Sequence, residues 1–222
     1  MRETMVQTIK RFPLCLLILC FTLVFTACTV VKIGEEPGNG ASGEGAFDPA
    51  SFVDEEWIKV TPYMKERAVD LAEVLPIIKA DPDKAGDTYG IRSGASGSPW
   101  NYIVQAEGKV LEVNTESRAG TFEVDLAPYD GQTDFVVQIG PVFKGTSIRD
   151  SLDFIKFDDF RNQIQYAQLA NAFNKKVNDE VTGSLNPESL RGKVLMVVGA
   201  ATAEGSSIVM TPVGIEVTEG GR

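Results

Sequence analysis

The chain has 222 residues, 43% of them hydrophobic and 23% charged, with a formal net charge of −10. That is the composition of a foldable globular protein, and an acidic one, which excludes electrostatic binding to DNA or RNA. There is no histidine, so Ser-His-Asp and Cys-His catalysis and every His-containing zinc site are excluded.

Arg2, Lys10 and Arg11 stand at the N-terminus, and the run from Phe12 to Ala27 carries no charge. A spanning helix needs about 20 apolar residues. The shorter run, behind a basic start and before the small residue Ala27, predicts a secretory signal over residues 1–27. Leu23-Val24-Phe25-Thr26-Ala27-Cys28 resembles a bacterial lipobox, with Phe25 in a place usually held by an aliphatic residue. The resemblance implies cleavage before Cys28 and lipid attachment to its thiol. The alternative is an uncleaved apolar anchor. Either way the remaining domain sits outside the cytoplasm on a membrane. Two or more acyl chains make such an anchor stable. Cys15 and Cys20 lie inside the signal, so the mature chain keeps one cysteine and forms no internal disulfide.

Val30, Val31 and Ile33 make a short apolar patch, and residues 34–50 are then mostly Gly, Glu, Pro, Ser and Ala. Such a segment reads as a flexible tether, giving a lipidated tether over 28–51 and a single domain over 52–222. Within the tether, Gly38, Gly40 and Gly43 spell G-x-G-x-x-G. No strand precedes it and no helix follows, so it is not a dinucleotide site.

Thr61-Pro62 reads as a helix start. Met64, Ala68, Leu71, Ala72, Leu75 and Ile78 follow one helix face, with Pro76 expected to kink the helix and Pro82 to stop it. Asp81, Asp83 and Gly86 resemble the opening of a calcium loop, but Ala85 and Arg92 replace required ligands. Residues 82–100 read as a long loop in which Tyr89, Arg92 and Trp100 either line a binding site or pin the loop to the core. Strands are predicted over 101–107, 109–114, 120–126 and 134–139, with turns at Gly108 and Asp130-Gly131. Helical segments are expected from Ser147 to Phe154 and from Asp158 to Asn178, the second carrying Tyr166, Leu169, Ala170, Phe173 and Val177 as its stripe. Asn186-Pro187 caps a short turn, and strands 193–199 and 207–217 close as a hairpin. The fold class is α+β: an antiparallel β-meander or OB-like barrel with helices packed on one side.

Polar chemistry is densest over 139–163. Ile139-Gly140-Pro141-Val142, Gly145-Thr146, Arg149-Asp150, Phe160 with Asn162-Gln163, and Thr211-Pro212-Val213 resemble a family of predicted periplasmic lipoproteins of unknown function. The resemblance covers most of residues 55–217. Members of that family are often encoded beside ribose-type sugar ABC transporters, which implies a transporter-linked role. Arg149, Asp150, Asn162 and Gln163 are the candidate ligand-binding residues. An arginine fork and a carboxylate suit sugar hydroxyls or a carboxylate, and the amides offer donors and acceptors. The competing reading puts Asp150 at a helix start with Arg149 paired internally. Asp158 and Asp159 point about 100° apart on a helix and cannot flank one glycosidic bond.

The sequence thus predicts no enzyme, no cofactor, no metal and no nucleic-acid partner. It predicts a lipid-anchored accessory protein of a sugar-uptake system, binding a sugar or a transporter component. The alternative is an envelope protein-interaction module without a small-molecule ligand.

Overall fold

The computed structural model describes residues 47–93, 97–204 and 207–218. The signal over 1–27, Cys28, most of the tether and the Gly38–Gly43 glycines lie outside the described residues.

Asp48 and Pro49, within the segment read as tether, are a helix start. The Asp48 carboxylate accepts from Ala50 N at 3.0 Å and from Ser51 Oγ at 2.6 Å, and Pro49 occupies a first-turn position that needs no N–H donor. Helix α1 therefore spans Pro49–Arg67, with Pro62 inside it rather than at its N-terminus. The apolar stripe expected as one helix is cut at Val69–Asp70, which forms a short strand, β1, parallel to Val104–Gln105. Asp70 then caps α2, Leu71–Ala80, by accepting from Ala72 N at 2.8 Å. Pro82 ends nothing. Asp81 caps and Pro82 opens a third helix, α3, over Pro82–Tyr89, followed by β2 at Gly90–Ile91.

The strands expected on either side of Gly108 are one strand, β3, Asn101–Asn114. Its first part pairs with β6 (Val194–Glu204) and its second part with β4 (Ala119–Leu126). Gly108 marks the change of partner. A side chain there would come within 2.4 Å of Val124 Cγ1, so the residue permits a coil in a continuous strand instead of a turn. Strand β5 (Phe135–Pro141) pairs antiparallel with β4 and parallel with β7 (Ser207–Val217), and β7 pairs antiparallel with β6. The order β3-β4-β5-β7-β6 returns to β3 and closes a five-stranded barrel of OB type.

A parallel β5–β7 pair needs a long crossover. The crossover holds α4 (Ser147–Asp150), a 3-10 turn at Phe157–Asp159, α5 (Gln163–Val177), a π-turn at Asn178–Thr182 and a 3-10 turn at Pro187–Leu190. Burial alternates along the strands. Tyr102, Val104 and Ala106 face the barrel interior with Phe122, Val137, Leu195 and Met210, and α2 and α3 pack on that same core. Ile103, Val198, Ala200 and Val213 face outward and are covered by Val60 and Met64 of α1, Ile148 of α4 and Leu169 and Phe173 of α5.

Burial raises the phenols of Tyr63, Tyr102 and Tyr166 above their ordinary value of 10.0. A group with a raised folded pKa contributes stability that is complete below its unfolded pKa and lost as pH rises through the folded one. With no histidine to titrate between about pH 5 and 8, melting temperature should be nearly flat from about pH 6 to 9 and fall above about pH 10. Tyr102→Phe should blunt that fall. A thermal-melt series from neutral to alkaline pH reads both, and a steep slope near pH 7 would contradict the assignment.

Candidate functional site

A cleft of about 360 Å³ opens where the ends of the barrel strands meet the start of the crossover. Its strand side is Asn101 of β3, Gln138 of β5, Thr202 of β6 and Val209 of β7. Asn101 and Thr202 form the last residue pair of the β3–β6 ladder, and Thr202 Oγ1 donates to Asn101 Oδ1 at 2.6 Å. Opposite them stand the Lys144–Ser147 loop, Arg149, Asp150 and Tyr166.

The loop is held by Gln138, which is 5% exposed. Its Nε2 donates to Lys144 O and to Thr211 Oγ1, both at 3.0 Å, and its Oε1 accepts from Lys144 N at 2.7 Å. Ser147 Oγ donates to the same Thr211 hydroxyl at 3.0 Å, and Asn174 Nδ2 of α5 donates to Gly145 O at 3.0 Å. Buried polar groups with all partners in place rigidify a site. Gln138→Ala would leave Lys144 N–H without its partner and Thr211 Oγ1 with Ser147 alone, at a cost of about 1–3 kcal/mol. The expected result is a lower urea midpoint with faster hydrogen exchange confined to the 142–147 segment.

Arg149 is 8% exposed. Its Nε donates to Asp150 Oδ1 at 2.8 Å, Nη2 lies 2.6 Å from the same oxygen, and Nη1 donates to Tyr166 O at 2.8 Å. The guanidinium lies 3.7 Å from the centre of the Tyr166 ring, a cation–π distance. Asp150 Oδ2 accepts from Thr146 Oγ1 at 2.5 Å. This pair is a preformed, charge-neutral wall. Burial is the main cause of the raised Tyr166 phenol, with the Arg149 guanidinium pulling the other way, so Tyr166 presents a neutral hydroxyl at physiological pH. Lys144 is exposed at the rim, and among the described residues no carboxylate pairs with it.

Two of the four expected site residues, Arg149 and Asp150, are therefore together in the cleft. Asn162 and Gln163 are not. Asn162 is the N-cap of α5, its Oδ1 accepting from Gln165 N at 2.9 Å, and Gln163 is exposed in the first turn. Asn is a favoured N-cap because its side chain satisfies a helix N–H that has no other partner.

Trp100 and Arg92 pin a loop instead of lining the cleft. Trp100 lies so close to Gly86 that a Cβ there would be 2.1 Å from its ring. Its Nε1 donates to Asp83 Oδ1 at 3.2 Å, and the Arg92 guanidinium sits 3.7 Å from its ring centre. From that connection Ser93, Ser98 and Pro99 reach the cleft. Asp81 caps α3 by accepting from Lys84 N at 3.1 Å, and among the described residues no group of three or more Cys, Asp or Glu is placed to hold a metal. Sequence reasoning missed Asn101, Gln138 and Thr202. Gln138 left one signal, a polar residue in the otherwise apolar strand Phe135–Pro141.

The model of a family described as predicted periplasmic lipoprotein (DUF2291) matches residues 18–216. No curated protein matches the chain. Among solved structures, the chain is similar to an OB-fold protein from Thermotoga maritima, solved at 1.90 Å. The two share 23% sequence identity with a TM-score of 0.65, over 78% of this chain and 99% of that one. At that identity the likeness concerns the fold alone, and it agrees with the barrel topology described above.

Proposed function

The chain belongs to this family of predicted periplasmic lipoproteins, extracytoplasmic and membrane-anchored, and from that premise we propose that it is a non-enzymatic receptor for a small, hydroxyl-rich ligand. Lipid attachment at Cys28 supplies its anchor. The observation that carries the reading is the cleft beside Arg149 and Asp150, lined by amides and hydroxyls on a rigid scaffold. Its volume is in the range of small-molecule sites.

The lining favours a neutral or singly anionic ligand. Arg149 and Asp150 neutralise each other, which leaves Lys144 as the one unpaired charge among the described lining residues. Asn101, Thr202 and Tyr166 supply hydrogen-bonding groups. A monosaccharide meets these demands. The family's resemblance-implied link to sugar ABC transporters supports the same ligand class. In this reading the protein serves sugar uptake by holding a sugar or presenting it to a transporter component. Nothing in the cleft needs to react, since the only carboxylate among the described lining residues, Asp150, is bound to Arg149 and Thr146.

The test is a thermal-shift screen of the mature chain against monosaccharides and sugar acids. A ligand at about 100 times its Kd adds roughly 2.7 kcal/mol of stability, a shift of several degrees. A hit should weaken on Thr202→Val and Lys144→Gln, which alter the cleft without touching the Arg149–Asp150 pair. A panel with no shift at millimolar concentrations would sink the reading.

A further inference from the structure

Hydrogen-bond donors and acceptors are unevenly available in the cleft. A carboxylate or amide oxygen accepts hydrogen bonds and donates none, and every such side-chain oxygen of the described lining residues is already engaged. Asp150 Oδ1 accepts from Arg149 Nε, and Asp150 Oδ2 from Thr146 Oγ1. Gln138 Oε1 accepts from Lys144 N, and Asn101 Oδ1 from Thr202 Oγ1. The groups left over are donors. Asn101 is 5% exposed, and among the described residues no acceptor is paired with its Nδ2. Lys144 differs from an ordinary surface lysine, because its peptide N–H and C=O are both bound by the buried Gln138 amide. The next carbonyl, Gly145 O, is held by Asn174. Its ammonium therefore projects from a fixed base. The charged lining residues are Lys144 and Arg149 against Asp150, a net +1, in a chain whose net charge is −10.

We propose that the ligand is a sugar acid, a polyhydroxy monocarboxylate whose carboxylate meets Lys144 and whose hydroxyls meet the Asn101–Thr202 end of the cleft. The proposal rests on the receptor reading above and narrows it. A carboxylate only accepts, so it matches a lining whose free groups donate. A neutral sugar brings an O–H donor with each hydroxyl, and those donors find the acceptor oxygens occupied. Polar groups taken out of water without partners oppose binding.

Charge sets the upper limit. Arg149 is neutralised by Asp150, so Lys144 compensates one negative charge and not two. A sugar phosphate, close to doubly charged at neutral pH, would keep its second charge uncompensated inside an acidic protein that repels it. Selectivity therefore arises from one charge-assisted hydrogen bond, which is stronger than a bond between neutral groups. The acid should bind about tenfold more tightly than the same sugar without its carboxylate.

The experiment uses the full chain, expressed with its signal and purified from membranes in a neutral detergent, with calorimetric titration as the readout. The probes are D-gluconate, D-glucuronate and D-galacturonate, each beside its neutral parent sugar, with D-glucuronamide as a neutral mimic of the acid and glucose 6-phosphate as the doubly charged one. The expected result is that an acid of the panel binds about tenfold more tightly than its neutral parent, and that glucuronamide behaves as a neutral sugar. Lys144→Gln should erase that preference while leaving the melting temperature unchanged, since Gln138 binds Lys144 through its backbone. Lys144→Arg keeps the charge and should restore most of it. A neutral sugar that binds as tightly as its acid, or a preference that survives Lys144→Gln, would overturn the acid assignment and leave the receptor reading standing. Tighter binding of the phosphate than of every acid would overturn the single-charge limit and the proposal with it. If neither acids nor neutral sugars bind, the receptor reading falls and takes this inference along.

Discussion

Arg149→Ala is expected to destabilise the domain by about 3–5 kcal/mol, the range for breaking a buried ion pair from one side. The Arg149 side chain is 9% exposed and the Asp150 side chain 13%. Removing the guanidinium leaves the Asp150 carboxylate with Thr146 as its remaining side-chain partner, frees the Tyr166 carbonyl and uncovers one face of the Tyr166 ring. At about 3 °C per kcal/mol for a domain of this size, the melting temperature should drop by roughly 10 °C. Asp150→Asn should cost less, because the amide still accepts from the guanidinium. The double variant Arg149→Met, Asp150→Leu should cost clearly less than the sum of the single losses, since it leaves no charge without a partner. Urea unfolding of the cycle measures this. If Arg149→Ala melts within a degree of the parent and loses only ligand affinity, the arginine is a ligand contact and not a wall.

Phe173→Ala should be comparably severe. Phe173 is fully buried beneath α5, against the outward face of the barrel, and removing such a ring costs about 3–5 kcal/mol through lost transfer energy and the cavity left behind. It also acts on the cleft at a distance. Helix α5 brings Tyr166 to the cleft wall and Asn174 to the Gly145 carbonyl, so a loosened helix frees both. The expected signature is a lower urea midpoint with unchanged m, together with faster exchange at the 142–147 amides. Phe122→Ala removes an equally buried ring from the barrel interior. It should destabilise by a similar amount without that local loosening, which separates a packing effect from a positional one.

The barrel was legible because its strands carry a period of two. Phe122, Val124 and Leu126 announce β4, and the closing hairpin is written in the same way. What failed to show was continuity. Gly108 looks like a turn residue in sequence, and only the approach of Val124 explains why a glycine sits inside a coiled strand. The helical stripe from Met64 to Ile78 is continuous on paper because two helices happen to keep phase across Val69–Asp70. Its interruption comes from pairing with β3, a partner more than thirty residues away. Asp48-Pro49 and Asp81-Pro82 are both cap-plus-proline starts, the very signal read at Thr61-Pro62, but the first is hidden in a linker-like composition and the second both ends one helix and opens the next. For the cleft, Arg149 and Asp150 were visible as adjacent opposite charges. Asn162 misled because an amide that caps a helix and one that faces a ligand are the same residue in sequence. Asn101 and Thr202 were out of reach, since their meeting depends on barrel closure.

That closure has a consequence for how the protein comes into being. The β3–β6 ladder joins residues 101–109 to 194–202, and its last pair, Asn101 with Thr202, is one wall of the cleft. An exported chain crosses the membrane progressively, and β6 emerges only after nearly everything else. Until then the first half of β3 has only the two-residue strands β1 and β2 beside it, and the cleft does not exist. A chain stalled in transit, or cut before residue 194, lacks Thr202 and with it one wall of the cleft. The presence of the cleft thus certifies that β3 and β6 have paired.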